Sequence, residues 1–182
     1  ALGNVGIGYS ALSGLTQGDD NIAIGRNSLL VNQTGTQNVV IGSYAGDAMG
    51  GSWYNVLIGY NAGTALNATT NHGQIAIGTN ALLSTTNGKN NVAIGSSDGV
   101  IGAALQTNTT GHYNLAIGAG ALFTANDDSN NGTVAIGHLA CNLQVGNASS
   151  AEFVNATTAI GYKALTALTS GAGNTAVGFE AL

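Results

Sequence analysis

The sequence predicts an all-β protein, a β-solenoid (β-roll or β-helix) of about ten 17-residue coils. A five-residue motif of the form N-V-A-I-G occurs ten times in the 182 residues, and its glycines are most often 17 residues apart. The chain contains 29 Gly and no Pro, which suits paired strands because proline removes a donor from a strand ladder. Only 6% of the residues are charged, and no stretch repeats apolar residues at helical spacing for long.

The motif recurs from the first residues of the sequence to the last. Its glycines are spaced 17, 17, 17, 19, 17, 23, 19, 24 and 17 residues apart, so 17 is the unit and the longer gaps hold insertions. A fixed period of this kind indicates a repeat architecture. We therefore expect a single repeat domain over residues 1–182 without capping repeats, a segment or protomer of a longer fibre. The copies are Asn4–Gly8, Asn21–Gly25, Asn38–Gly42, Asn55–Gly59, Gln74–Gly78, Asn91–Gly95, Asn114–Gly118, Thr133–Gly137, Thr157–Gly161 and Asn174–Gly178.

Each motif predicts a short strand that is buried on both faces. Its second and fourth residues are β-branched or Leu in almost every copy, and the residue between them is usually small, as in Val92, Ala93 and Ile94. Successive strand residues point to opposite faces, so one face is a bulky aliphatic column and the other an alanine column. Since neither face is polar, we expect both to be covered.

Three more columns follow from the alignment. The Asn that begins most motifs predicts a turn or a ladder of stacked amides. The third residue after the glycine is small in most units, with Asp98 at that place in the sixth, and the next residue is mostly Leu, Gly or Cys141, which we interpret as core. The predicted ladder or turn residues are Asn4, Asn21, Asn38, Asn55, Asn91, Asn114 and Asn174.

Aromatic residues and glycosylation sequons mark the candidate contact sites. Tyr9, Tyr60, Tyr162 and Phe179 each follow a motif glycine, and Trp53 and Tyr54 form a pair elsewhere; these six are candidate ligand or chain contacts, or fill the lip of a coil. The N-x-[ST] sequons lie between motifs and indicate either candidate glycosylation sites or simply Asn- and Thr-rich loops. They stand at Asn32, Asn67, Asn108, Asn131, Asn147 and Asn155.

Composition excludes several classes of function. Three Lys plus Arg and a net charge of −5 argue against nucleic-acid binding, and no apolar run approaches the ~18 residues of a membrane span. The three His lie in different units, and there is one Cys and no phosphate-binding loop motif. The carboxylate pairs in "GDDN" (Gly18–Asn21) and "NDDSNN" (Asn126–Asn131) lack the spacing of calcium β-rolls. We expect no catalysis, no cofactor and no metal site.

The motifs carry a resemblance to known fibres. "NVAIG", "NLAIG" and "NTAVGFEAL" resemble the head repeats of trimeric autotransporter adhesins and the related N-T-A-V-G-x-x-A-L repeats of phage tail-fibre proteins. The resemblance covers all ten units. It implies a left-handed parallel β-roll, three chains to a rod, and an adhesive fibre that is extracellular, on the cell surface or on a virion.

Two functions remain open on the sequence. The first is a non-catalytic structural subunit or shaft of an extracellular fibre, a homopolymer that stacks head to tail through uncapped solenoid ends. The second is a receptor- or glycan-binding adhesin or tail-fibre segment that works as a homotrimer and contacts surface glycans. The expected end-to-end interface comprises Gly3, Asn4, Val5, Val177, Gly178, Ala181 and Leu182.

Overall fold

A computed structural model, which describes residues 1–67, 69, 71–125, 130–144 and 156–182, confirms the β-solenoid. Each strand is three residues long and coincides with the centre of one motif, and the described residues contain no helix. The strands are β1 (Val5–Ile7), β2 (Ile22–Ile24), β3 (Val39–Ile41), β4 (Val56–Ile58), β5 (Ile75–Ile77), β6 (Val92–Ile94), β7 (Leu115–Ile117), β8 (Val134–Ile136), β9 (Thr158–Ile160) and β10 (Thr175–Val177).

The ten strands form one parallel sheet in chain order. Each strand pairs with the next in the register that aligns the motifs, so that Val5 lies opposite Ile22 and Ile7 opposite Ile24. The register survives the insertions: Val92 pairs with Leu115 across a 23-residue gap. Nine coils therefore join the ten strands, and every strand contacts its neighbours in sequence.

The interior of the rod is lined by the small strand residue and by two later columns. Ala23, Ala76 and Ala93 are fully buried, as are Leu29 and Leu82, which lie four residues after a motif glycine. A column that the sequence did not reveal lies seven residues after the glycine, where Met49 and Leu66 are also fully buried. Because the strand contributes mainly alanine, the larger side chains from these turns fill the remaining space.

The bulky face of the sheet is not covered, and the expectation of a strand buried on both faces was wrong in that respect. In β2, β3, β4, β6, β7 and β8 the central residue is buried while both flanking residues are only partly buried. The central strand residue points into the coil and the Val/Ile column points outward, because the narrow coil leaves little room at that place. A small residue usually fills it, and the larger Val40 and Leu57 fit where Gly46 and Gly63 stand in the facing column.

Asp98 does not occupy the small column, which corrects a second expectation. The insertion of the sixth unit directly follows the strand, and Ala104 takes the buried position: its N–H donates to the Gly95 carbonyl, as that of Ala81 donates to Gly78. Asp98 instead lies on the projecting loop, where Oδ1 accepts the N–H groups of Val100 and Ile101 at 2.9 and 2.7 Å. These bonds lower the pKa of the Asp98 carboxyl.

Close stacking of coils explains the glycine that ends every strand. At Gly59, φ is 138°, and a Cβ would lie 2.6 Å from the carbonyl oxygen of Gly78 in the next coil. Left-handed backbone is not confined to glycine, however. Two and four residues after Gly25, Asn27 and Leu29 have φ of 56° and 49°, a conformation that L-residues adopt only at a cost of roughly 1–2 kcal/mol each. The bonds between coils hold these turns in place.

Candidate functional surfaces

A ladder of buried amides runs through the first turns of the rod. The side-chain amide of Asn38 donates to Oδ1 of Asn21 at 2.9 Å, and that of Asn55 donates to Oδ1 of Asn38 at 2.9 Å. The same oxygens also accept the backbone N–H of the next motif, for example Asn38 Oδ1 from Asn55 at 3.0 Å. Each amide thus joins its own coil to both neighbouring coils.

The ladder continues beyond the asparagines. Gln74 accepts the backbone N–H of Asn91 at 3.1 Å, Asn91 accepts that of Asn114 at 2.9 Å, and Asn114 accepts that of Thr133 at 2.9 Å. Each of these amides also donates to a carbonyl oxygen of a neighbouring turn. The oxygen and the nitrogen of each side chain therefore have a partner within the protein, which indicates a structural role for the column.

Two of the seven predicted ladder residues lie at the margins of this column. Asn4 accepts from the N–H and the amide of Asn21 at 2.9 and 3.0 Å and is only partly buried. Asn174 donates to the carbonyl of Ala172 at 3.4 Å, two residues away. Its neighbour in the stack is Thr157, which follows Thr133 in the column; both occupy the motif position with a shorter side chain.

The structure contradicts two of the candidate glycosylation sites. Asn32, seven residues after Gly25, is fully buried in the inner column, and so is Asn108, which the insertion of the sixth unit places 13 residues after Gly95. Their Oδ1 atoms accept the N–H of Gly35 and Gly111 at 2.9 and 3.0 Å. A glycan on these amides has no room inside the coil. Asn67 is exposed, and Asn131 is partly buried with Oδ1 accepting the N–H of His112, while Asn147 and Asn155 lie outside the described residues, as do residues 126–129 of "NDDSNN".

The outward Val/Ile residues form a continuous surface, which we call the aliphatic face. It comprises the first and third residues of β1 to β10 and is partly buried in most strands. Ile77 and Ile160 are 36% and 37% exposed. Ten strands at the spacing of paired strands make this face about 43 Å long. With the bordering column of residues that follow the motif glycines it is roughly 15 Å wide, so its area is on the order of 650 Å². That exceeds the apolar patches of most monomeric proteins, which reach about 300–600 Å².

The aromatic column borders the aliphatic face. His138 and Tyr162 stack with ring centroids 5.3 Å apart, and Tyr162 stacks on Phe179 at 5.2 Å. Tyr9 and Tyr60 are well exposed, and Tyr60 meets Tyr44 edge to face at 6.0 Å. Because the stacked rings cover one another, their edges rather than their faces are available to a partner.

A second aromatic surface lies on another side of the coil, at the two residues before a motif. Trp53 stacks on His72 of the next coil with centroids 4.5 Å apart and planes 12° from parallel. Tyr54 and Tyr113 are 59% and 51% exposed. We call this surface the Trp53–Tyr113 edge. It comprises Trp53, Tyr54, His72, Gly73, Lys89, Asn90, His112 and Tyr113.

Basic groups occupy successive coils of this edge. His72, Lys89 and His112 are each the second residue before a motif, and the backbone N–H of Lys89 donates to Nδ1 of His112 at 3.0 Å. Burial lowers the pKa of His72, and the charge of Lys89 lowers it further. The sequence had not linked these residues, since they are 17 and 23 positions apart; only the repeat register identifies them as neighbours.

The remaining candidates provide no reactive centre. Cys141 is buried in the core, as expected, and burial raises the pKa of its thiol to about 12. Within the described part of the chain, no three His, Cys, Asp or Glu side chains lie together as a metal site. The same residues include no helix long and apolar enough to cross a membrane.

The residues of the expected end-to-end interface lie at opposite edges of the sheet. Gly3, Asn4 and Val5 are next to or within β1, which pairs with β2 alone, and Val177, Gly178, Ala181 and Leu182 are within or after β10, which pairs with β9 alone. Val177 and Leu182 are exposed. Stacking between copies through these residues stays a prediction.

No protein-family model, curated protein or solved structure matches this chain.

Proposed function

We propose that this chain is a non-catalytic structural rod of an extracellular fibre, in which copies of the chain associate side by side through the aliphatic face. The observation that carries the proposal is the outward column at the third residue of all ten strands, Ile in β1 to β9 and Val in β10, in constant register. The first-residue column beside it is Val, Ile or Leu as far as β8 and Thr in β9 and β10. A surface that repeats at every coil suits a partner with the same repeat, and a second copy of the chain has that repeat.

The size of the aliphatic face supports this assignment. Its ~650 Å² is close to the roughly 800 Å² that each partner contributes to a standard protein interface. At about 25 cal/mol per Å² of apolar area removed from water, covering it supplies a driving force that a solitary rod lacks. The resemblance to trimeric adhesins implies three copies in the rod and a setting outside the cell.

Light scattering on the purified chain, over a range of concentrations, tests the proposal. We expect a fixed mass of several chains, three if the resemblance extends to assembly. Replacing Ile77 and Ile160 by Lys places charge on the aliphatic face and is expected to give monomers that remain folded by circular dichroism.

Val31 and Leu143 provide the matched control. Both stand six residues after a motif glycine, away from the sheet, and both are 43% exposed, like the two test residues at 36% and 37%. The variant with Val31→Lys and Leu143→Lys should keep the mass of the unmodified chain. A chain that is monomeric at all concentrations contradicts side-by-side association, and a mass that grows without limit favours end-to-end stacking instead.

A second candidate function is glycan binding, as an adhesin or tail-fibre segment. The observation that favours it is the exposure of Trp53, Tyr54 and Tyr113 on one edge of a rigid rod, because aromatic rings with polar tips stack on sugars and bond their hydroxyls. Binding to immobilised oligosaccharides, lost when Trp53 is replaced by Ala, is the expected result.

A further inference from the structure

We propose that the Trp53–Tyr113 edge binds an acidic carbohydrate, a sugar chain that carries carboxylate or sulfate groups. The inference rests on the second candidate function and adds the charge of the ligand and the residue that selects it, Lys89. It places the ligand on residues that precede the strands, whereas the aliphatic face consists of strand residues.

Two exposed tyrosines provide the walls of a trough. Tyr54 and Tyr113 each precede a motif directly and have nearly equal φ of 62° and 60°, so their side chains leave the backbone in the same direction. They are three coils apart, about 14 Å at the spacing of paired strands. That separation is roughly the length of a trisaccharide.

The floor between the tyrosines is low and polar. The two intervening coils place Gly73 and Asn90 at the same position, and the side chain of Asn90 leans over Gly73, with Oδ1 where a Cβ of Gly73 would stand. The N–H of Asn90 is held by the carbonyl of His72 at 3.0 Å. An amide floor between two phenol walls offers donors and acceptors for sugar hydroxyls and ring faces for sugar C–H groups.

The charge of Lys89 indicates which class of sugar this edge binds. Lys89 belongs to neither of the two ion pairs within the described residues, whereas Lys163 pairs with Glu180 at 3.8 Å. Arg26 lies over the Tyr44 ring at 4.7 Å, on the other aromatic surface. Among the described residues Lys89 thus has no acidic partner, and it lies between two histidines in a chain of net charge −5. A single lysine suits one acidic group of a sugar chain, while a nucleic acid needs several cations along its phosphates.

The test is calorimetric titration of the full chain with three probes of equal length: an oligogalacturonate, a neutral galacto-oligosaccharide and a carrageenan-derived oligosaccharide, which carries sulfate and no carboxylate. We expect the acidic probes to bind about tenfold or more tightly than the neutral one, the scale of one charge-assisted hydrogen bond. The stronger of the two acidic probes identifies carboxylate or sulfate as the group that Lys89 contacts.

Two matched pairs of variants locate the site. Lys89→Gln should remove the preference for acidic probes, and Lys163→Gln, which deletes a lysine beside Tyr162, should keep it. Tyr54→Gly should weaken all binding, and Tyr44→Gly should not; both tyrosines have left-handed backbone, with φ of 62° and 60°, so both replacements suit the fold.

Three results would overturn the inference. Equal binding of acidic and neutral probes removes the role of Lys89 while keeping glycan binding. No binding of any probe removes both the inference and the second candidate function. An acidic preference that Lys89→Gln and Lys163→Gln reduce equally assigns the preference to long-range attraction by any basic side chain rather than to a contact at this edge.

Discussion

The side-chain amide of Asn38 donates to the side-chain oxygen of Asn21, 2.9 Å away and 17 residues earlier in the chain. The same Asn38 amide donates to the carbonyl of Ser52 at 2.9 Å, and its oxygen accepts both the N–H and the amide of Asn55. One buried side chain therefore joins three coils, and its removal leaves polar groups without partners.

We expect Asn38→Ala to lower the free energy of unfolding by about 3 kcal/mol or more, because each buried polar group left unpaired costs about 1–3 kcal/mol. Chemical denaturation monitored by circular dichroism measures the change. Asn174→Ala is the control, since Asn174 heads a motif but its side-chain amide donates to the carbonyl of Ala172 in its own turn, and its backbone bond to Thr158 does not need the side chain. A surface change of this kind falls within about 0.5 kcal/mol. Equal losses in both variants would contradict a special role for the ladder.

The glycine that ends a strand should tolerate no side chain. Gly59→Ala places a Cβ 2.6 Å from the Gly78 oxygen, at a φ of 138°, so we expect a loss of roughly 2–5 kcal/mol from backbone strain and overpacking. Gly50→Ala meets only one atom, at 3.5 Å, and should change stability little. Thermal denaturation of both variants checks this, and a mild effect at Gly59 would mean that the coils separate easily.

Replacing an exposed residue that has left-handed backbone by glycine should make the protein more stable. Gln37 is exposed and has φ of 56°, so Gln37→Gly relieves strain of roughly 1–2 kcal/mol against an entropic loss of about 0.5–1 kcal/mol. We expect a net gain of up to about 1 kcal/mol. Gln33, also exposed, lacks a positive φ, and Gln33→Gly should be destabilising. The denaturation midpoints of the two variants measure these changes. If both midpoints shift in the same direction, left-handed strain at Gln37 is not the cause.

Stability should fall as the solution becomes acidic, partly through His72. Burial, and then Lys89, lower the pKa of His72 from 6.5, so the unfolded chain binds the proton more readily than the folded one. The contribution of His72 is complete above pH 6.5 and is lost as the pH falls from there toward its folded pKa. Denaturation experiments between pH 7.5 and pH 5 should show that the free energy of unfolding declines less steeply for His72→Gln than for the unmodified chain. Parallel curves for the two chains would exclude His72 as a source of the pH dependence.

The sequence by itself determined the solenoid, its strands and their register. The motif marks each strand, and parallel neighbours can pair in only one register when their motifs are aligned, as the pairing of Val92 with Leu115 across an insertion shows. The ladder from Asn21 to Asn114 was also readable, because identical amides at a fixed period meet once the strands stack.

Tertiary structure decided which face is inside. Val92 and Ile94 are bulkier than Ala93, yet the alanine is buried, because the width of the coil is set by turns whose conformation the motif does not specify. The same turns bury Asn32 and Asn108, and they move Asp98 out of the core column in favour of Ala104.

The Trp53–Tyr113 edge likewise depends on the folded chain. Trp53 and Tyr54 are candidate contacts on the sequence alone, but Lys89, His112 and Tyr113 are not, and 23 positions separate Lys89 from His112. Stacking brings them together because each lies at a fixed distance before a strand, and strand pairing converts equal distance along the chain into contact in space. Local sequence therefore specifies the repeat, whereas the surface that a ligand would meet is specified only by how successive repeats align.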